Sequence, residues 1–486
     1  MNTIIPKPVL MEKLEGNFKI PNLFKVDIGA FNNDSKLIEK NFSKFFQCEQ
    51  DKGKPNIILQ QNSSFGVEEY SLIVGIKQIS IVASELKGIL HGIQTFNQLV
   101  EFHTVDNSIS CCRIIDSPRF SWRGVHLDVS RHFFPISFIK RFIDIISQYK
   151  MNVFHWHLVD DQGWRLEIKS RPELHKIGST RIEKDGTSYA GFYSQLEIKE
   201  VIEYALEKGV EVVPEIEMPG HASSAIASYP ELSCKGENID VPNEWGVFKD
   251  VYCAGKESSF EFLEDVLSEV ADLFPSKYIH IGGDECPKTA WKVCPYCQRR
   301  MTEHNLANEE ELQSYFIKRM VKFLKTKGKT AIGWDEILEG GLAEETVVMS
   351  WQGYNGAVNA AKNGNKAIMT PTSHCYFDYY QAKQGEPKAF NAYLPLEKVY
   401  GFNPIPEELN ESEKKLILGG QANLWTEYMP DEKQVEYMLL PRLTAMAEVL
   451  WSERLIRDFP EFLARVERHT ELWKKNGYNF RNPVHE

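Results

Sequence analysis

Tyr278-Ile279-His280-Ile281-Gly282-Gly283-Asp284-Glu285 reads as a short buried strand that stops at two glycines and then presents two adjacent carboxylates. A run this short and apolar, bounded by glycine, suits a strand covered on both faces. The same form, strand then loop then helix, recurs on either side of it. Working outward, strands are expected at Arg123–Ser130, Asn152–Asp160, Val210–Glu217, Lys277–Gly282, Thr330–Trp334, Thr346–Trp351, Lys366–Thr370 and Leu416–Ala422. Between most of them the apolar residues take helical spacing. Phe138–Tyr149 sets Phe138, Phe142, Ile145, Ile146 and Tyr149 on one face, and Leu196–Lys208, Ser259–Phe274 and Glu309–Lys325 behave alike. Eight short strands alternating with helices is the arithmetic of a (β/α)₈ barrel. Ala382–Lys415, rich in Pro and Gly, is expected to be mostly loop, and Phe459–Lys475 a helix packed outside.

The segment before the barrel reads differently. Asn56–Gln60, Tyr70–Val74 and Lys77–Val82 are strand-like, the last two expected to pair, and Glu85–Val100 carries Leu86, Leu90, Ile93, Phe96 and Leu99 at helical spacing. The expected organisation is a small α+β domain over residues 1–117 and a barrel with a C-terminal helix over residues 118–486. The first segment carries no residue pattern that points to chemistry.

In a (β/α)₈ barrel the chemistry lies at the C-terminal ends of the strands, and the unusual residues collect there. The ends carry Asp128-Val129-Ser130-Arg131-His132, then His155-Trp156-His157-Leu158-Val159-Asp160-Asp161, and Glu217-Met218-Pro219-Gly220-His221. Asp284-Glu285, Trp334-Asp335-Glu336, Trp351, Tyr376-Phe377-Asp378 and Trp425-Thr426-Glu427 follow. Indole faces stack on the apolar faces of sugar rings, and carboxylates accept hydroxyl hydrogen bonds. Such a set describes a sugar site. Residues at i and i+2 share a face of extended chain, so Tyr376 with Asp378, and Trp425 with Glu427, can look into one pocket. Trp122, Trp156, Trp291 and Trp451 read instead as core, and His155 and His157 as core or supporting residues rather than metal ligands.

On the motifs His280-Ile281-Gly282-Gly283-Asp284-Glu285, Asp128-Val129-Ser130-Arg131-His132-Phe133 and His155–Arg165, the sequence resembles glycoside hydrolase family 20, the β-N-acetylhexosaminidases, over nearly its whole length. The resemblance implies exo-acting removal of terminal β-linked N-acetylglucosamine or N-acetylgalactosamine, with the substrate's acetamido group as nucleophile. It implies Glu285 as general acid/base and Asp284 as the group that orients the acetamido N–H and stabilises its developing charge. Tyr376 would hydrogen-bond the acetamido oxygen, Trp334, Trp351 and Trp425 would wall the pocket, and Arg131, Asp378 and Glu427 would bind hydroxyls. Asp160 and His221 would tune Glu285 from behind. No cofactor and no metal are implied. Glu285 must be protonated to act, and the Asp284 charge and the indoles are expected to push its pKa upward.

Two other readings compete. A metal-dependent hydrolase of the amidohydrolase type also uses a barrel and a strand-end His-x-His, such as His155 and His157, and would be inhibited by chelators. A non-catalytic sugar-binding protein needs the indoles but has no use for an acid such as Glu285.

The 486 residues are 42% hydrophobic and 26% charged, with a net charge of −12. With no basic run, nucleic acid is not an expected partner, and no apolar run reaches the length of a membrane span. The N-terminus lacks a long apolar signal segment, which reads as cytoplasmic, or as secreted or periplasmic if an export signal has been removed. Nine cysteines are an odd number, so a complete disulfide framework is not expected. Cys294-Pro-Tyr-Cys297 has metal-like spacing, but no second such pair appears and a structural loop is expected. Cys234 and Cys253 flank a loop and are candidates to pair in an oxidising compartment.

Overall fold

A computed structural model describes residues 3–43, 47–103 and 107–483. Eight parallel strands close into a barrel, numbered here in chain order: β1 (Trp122–Asp128), β2 (Val153–His157), β3 (Glu211–Met218), β4 (Tyr278–Gly282), β5 (Thr330–Trp334), β6 (Val347–Ser350), β7 (Ala367–Met369) and β8 (Ile417–Leu424). Each lies within two residues of its expected bounds except β2, which ends at His157, three residues before the expected Asp160. The ring closes where β8 pairs with β1, from Gly419 opposite Trp122 to Leu424 opposite Leu127.

The helices α1 (Ile136–Gln148), α2 (Gln195–Glu207), α3 (Glu257–Leu273) and α4 (Glu309–Thr326) cover the first half of the ring. Helix α1 buries Phe138, Phe142, Ile145 and Ile146 against outward strand residues such as Val125, Leu127, Phe154 and Trp156. Helix α2 begins with a reciprocal cap, in which the Ser194 side chain accepts from the Glu197 backbone N–H and the Glu197 carboxylate accepts from that of Ser194. The second half is less regular. Only a single 3₁₀ turn, Asp335–Leu338, connects β5 and β6. The β7–β8 connection is mostly loop, as its composition suggests, with short helices at Leu396–Tyr400 and Glu411–Lys414. The outer helix Phe459–Lys475 is present, capped by Asp458.

The N-terminal domain is a seven-stranded mixed sheet carrying the helix Leu86–His103. Tyr70–Val74 and Ile79–Ala83 pair antiparallel, Leu72 opposite Ile81, as the alternation predicts. The edge strand Leu10–Lys19 has no counterpart in the sequence reading, because its Leu-Met-Glu-Lys-Leu-Glu run is largely exposed and shows no buried face. A buried ionic junction joins sheet and barrel. The Asp116 carboxylate accepts from Lys150 Nζ at 2.9 Å, Tyr70 OH at 2.8 Å and Trp451 Nε1 at 2.9 Å.

Candidate active site

At the C-terminal end of the barrel a cleft of about 180 Å³ opens. Every residue to which the family resemblance gives a role lines it: Asp284, Glu285, Asp160, His221 and Arg131, the indoles Trp334, Trp351 and Trp425, and Tyr376, Asp378 and Glu427. Thr372, Tyr379 and Phe390 also line it and were not foreseen. Tyr379 follows Asp378 directly and was within reach of the motif. Phe390 belongs to the irregular β7–β8 connection, where no periodic pattern marks a cleft-facing side chain.

The end of β4 shows why glycine precedes the two carboxylates. Gly282 and Gly283 take φ of +64° and +100°, and a Cβ on Gly282 would sit 1.6 Å from Glu217 Oε2. Glu285 itself is left-handed at φ +44°, and so is His221 at +48°. Such conformations cost on the order of 1–3 kcal/mol each and persist where the surrounding structure enforces them. Here the turn separates the environments of two adjacent carboxylates: the Asp284 side chain is 12% exposed and that of Glu285 41%.

Behind them runs a chain of charges that begins inside the barrel. The Glu215 carboxylate, wholly buried, contacts His157 Nδ1 at 2.5 Å, His155 Nε2 at 3.1 Å and His280 Nδ1 at 2.6 Å. His157 Nε2 reaches Asp160 Oδ2 at 2.9 Å. Against its burial, the Glu215 and Asp160 carboxylates hold the His157 imidazole up at about 10. Asp160 also takes Arg131 Nη2 at 2.9 Å and His221 Nδ1 at 3.1 Å. Burial disfavours the His221 cation, but Asp160 and Asp161 outweigh it and raise its pKa well above the ordinary value. His221 Nε2 then lies 3.6 Å from both Asp284 Oδ2 and Glu285 Oε2. His155 and His157 thus surround Glu215 beneath the cleft and do not line it.

The electrostatics correct one expectation. Glu285 does not carry the raised pKa. The His221 cation beside it lowers its pKa and outweighs partial burial. Asp284 is pushed up to about 8 by its burial, with Glu336, Glu215 and Glu285 adding to the effect against His221. The reason is position: Asp284 points into the closed interior and Glu285 into the wet mouth, a distinction that adjacency in sequence does not reveal.

The rest of the cleft is arranged around the indoles. Trp351 and Tyr376 stack with centroids 6.2 Å apart, and Trp351 Nε1 donates to Glu336 Oε2 at 2.9 Å. Trp334 and Trp425 meet at 6.0 Å. The Arg131 guanidinium lies 5.2 Å from the Trp425 ring centre, and its Nε donates to Gln162 Oε1 at 3.0 Å. Asp378 is raised well above the carboxylate range by burial and by Glu427. Several buried polar atoms here have no hydrogen-bond partner among the described residues: Asp284 Oδ1, Asp378 Oδ1 and Trp334 Nε1. Buried polar groups are nearly always satisfied, so three such atoms bordering one cleft mark where a ligand's polar groups belong.

A barrel of this kind, with carboxylates and indoles converging from different strand ends, defines a glycoside hydrolase. The comparisons agree. The catalytic-domain model of glycosyl hydrolase family 20 matches residues 120–454, and the family's domain 2 matches residues 1–117. The chain belongs to glycosyl hydrolase family 20. It is 41% identical to a β-hexosaminidase of Porphyromonas gingivalis, over 99% of this chain and 65% of that protein, so it spans just under two thirds of that relative's length. It is 35% identical to a Vibrio furnissii β-hexosaminidase, over 92% of this chain and 76% of the relative. Among solved structures, the exo β-N-acetylglucosaminidase of Vibrio harveyi in complex with N-acetylglucosamine superimposes with a TM-score of 0.90 at 33% identity, covering 99% of this chain and 79% of that one. The β-N-acetylhexosaminidase of Bacteroides fragilis gives 0.88 at 32% identity, covering 98% and 96%.

Proposed function

We propose that the protein is an exo-acting β-N-acetylhexosaminidase that removes terminal β-linked N-acetylglucosamine or N-acetylgalactosamine with net retention, the acetamido oxygen of the substrate serving as nucleophile. The observation that carries this reading is the split of the Asp284–Glu285 pair. One carboxylate is buried with a free oxygen among indoles, and the next stands at the mouth. Retaining glycosidases with an enzyme nucleophile hold two carboxyl groups across the scissile bond, and substrate-assisted enzymes are the exception. A glycan is the substrate, bound one terminal sugar at a time in a cleft floored by Trp334.

In the first step the acetamido oxygen bonds to the anomeric carbon as the bond to the leaving oxygen breaks, and Glu285 passes its proton to that oxygen. Asp284 takes the acetamido N–H on its free Oδ1 and stabilises the positive charge of the resulting oxazolinium ring. Tyr376 holds the acetamido oxygen in line, with Trp351 and Trp425 against the ring and its methyl group. In the second step water attacks the anomeric carbon, its proton goes to Glu285, and the acetamide re-forms. Arg131, Asp378 and Glu427 bind hydroxyls. Asp160 and His221 set the charge behind Glu285.

The pKa pattern fits a pair that shares one proton. In the free enzyme that proton rests on Asp284. An N–H donor at Oδ1 favours ionised Asp284, which leaves the proton to Glu285, where it is needed.

The test is to compare two aryl β-glycosides with the same leaving group, one an N-acetylglucosaminide and one a glucoside. Positioned intramolecular groups have effective molarities of roughly 10⁵–10⁸ M, so the glucoside, which lacks the nucleophile, is expected to be essentially inert. No step of this scheme uses a metal ion, so a brief exposure to chelator, too short to strip a buried structural ion, should leave the activity unchanged. Rapid glucoside cleavage, or a sugar ester trapped on Asp284, would replace this scheme with a two-carboxylate mechanism.

A further inference from the structure

Two cysteines that precede β4 in the sequence and two that follow it come together on one side of the mouth. Cys234 and Cys253 come from the β3–α3 connection, and Cys294 and Cys297 from the β4–α4 connection. The sulfur of Cys253 lies 3.8 Å from that of Cys294 and 3.6 Å from that of Cys297, and Cys234 lies 3.8 Å from Cys297. All four sulfurs lie within 4.8 Å of one another. Cys253, Cys294 and Cys297 are buried and Cys234 is partly so.

We propose that these four cysteines form a structural zinc site, one ion held by four thiolates. A tetrahedron with zinc–sulfur bonds of roughly 2.3 Å has its sulfurs about 3.8 Å apart, the spacing of these three pairs, and the remaining pairs lie within 4.8 Å. A disulfide requires two sulfurs about 2.05 Å apart and a defined partner for each. Here Cys253 is nearly equidistant from two candidates and Cys297 is shared by two, so the arrangement selects no pairing.

The surroundings also suit a charged tetrathiolate. The backbone N–H groups of Gly255 and Lys256 donate to the Cys253 sulfur, as second contacts that neutralise ligand charge commonly do. The two connections meet at Gly255, where a Cβ would fall 2.1 Å from the Tyr296 carbonyl carbon and 2.2 Å from the Cys297 nitrogen. Only glycine allows that approach. Lys256 Nζ donates to the Ser233 carbonyl at 2.6 Å and Arg300 to the Gly255 carbonyl at 3.0 Å, placing two cations beside the cluster.

With four protein ligands no position remains for water or substrate, so the ion is structural rather than catalytic. Its place explains its use. The neighbouring Tyr252 N–H donates to the Pro219 carbonyl at 3.0 Å, two residues before His221, and Trp291 Nε1 donates to the Tyr252 carbonyl at 3.0 Å. The ion clasps the connection that carries His221 to the one that begins at Glu285.

The experiment is elemental analysis of the full chain, purified with a thiol reductant and dialysed into metal-free buffer, together with a thiol titration in denaturant. One zinc per chain is expected, with all nine cysteines titrating once the metal is removed. Cobalt substitution should give the visible spectrum of tetrahedral thiolate ligation. Cys297→Ser should lose most of the zinc and unfold at lower temperature. If that variant does not fold, the wild-type metal content and cobalt spectrum decide alone. No zinc with only five reactive thiols would mean two disulfides, no zinc with nine would mean a bare thiol cluster, and a folded Cys297→Ser that keeps a full zinc equivalent would place the metal elsewhere. Each of these overturns the proposal.

Discussion

The floor and the mouth of the barrel are made by the same strands, yet their interiors share almost no chemistry. At the floor Trp122, Val153, Val213, Tyr278, Ile332, Val347 and Ile368 pack in one apolar cluster that continues through Met349 up to Trp334 beneath the cleft. Two residues further along β2 and β3 the inward positions become His155, His157, Glu215 and Glu217, all buried. Alternation along a strand keeps i and i+2 on one face, so the change of character happens on a single inward stripe. The floor is held chiefly by packing, with the Trp122 indole N–H given to Gln421 Oε1 at 3.4 Å. The mouth holds charges that must find partners, and it leaves some polar atoms without any. Stability is concentrated below, and readiness for a polar ligand above.

The largest break in that comparison should come from Glu285→Gln, at the wet end of the mouth. General acid catalysis contributes roughly 10²–10⁴-fold, so kcat on a natural disaccharide should fall by about that much, and by less on an aryl glycoside whose leaving group needs no proton. The melting temperature should hold. Equal losses on both substrates, read by steady-state kinetics, would take the acid role from Glu285.

Deeper in the mouth, Glu215→Leu should act on stability as strongly as on activity. It strips the carboxylate from the His155, His157 and His280 cluster, and removing one partner of a buried ionic group costs about 3–5 kcal/mol. Urea unfolding measures it. A variant as stable as the parent would mean that His157 is neutral and needs no carboxylate beside it.

At the floor, Ile332→Ala should cost about 2–4 kcal/mol through the cavity it leaves, with KM for the substrate unchanged. A change in KM comparable with the loss in stability would show that floor and mouth are mechanically one unit.

The smallest effect expected sharpens the contrast. Asp284 has its folded pKa raised from 3.8 to about 8. Stability is therefore present below the unfolded pKa and is lost as pH rises towards 8, because the unfolded chain ionises freely and the folded one does not. Asp284→Asn should melt higher than the parent at pH 8, by about a degree or two, and no higher at pH 3. Its residual kcat/KM should lose its alkaline limb near pH 8 and fall away at lower pH, since only Glu285, held low by His221, remains to carry the proton. A limb that stays at pH 8 would place that proton elsewhere.

The sequence by itself determined the barrel and most of its working face. Strand, glycine and helix patterns are local: backbone sterics and burial periodicity act over a few residues, and β5 could be read from Thr330–Trp334 to the residue. The strand-end rule then brought Arg131, Trp425 and Asp284 together without any coordinates. The exposed edge strand Leu10–Lys19 was illegible because nothing in it is buried on a regular face, and Phe390 because its connection has no period.

Tertiary structure alone decided the electrostatics of neighbours and the meeting of distant loops. Asp284 and Glu285 are adjacent and chemically alike, and their pKa values part because a left-handed backbone sends one into a dry interior and leaves the other beside the His221 cation. Cys234 and Cys253 are not spaced like a metal-binding pair. They join Cys294 and Cys297 only because barrel closure sets the β3–α3 and β4–α4 connections side by side. Desolvation and through-space contact depend on where the chain returns, and a reading that runs along the chain carries no term for that.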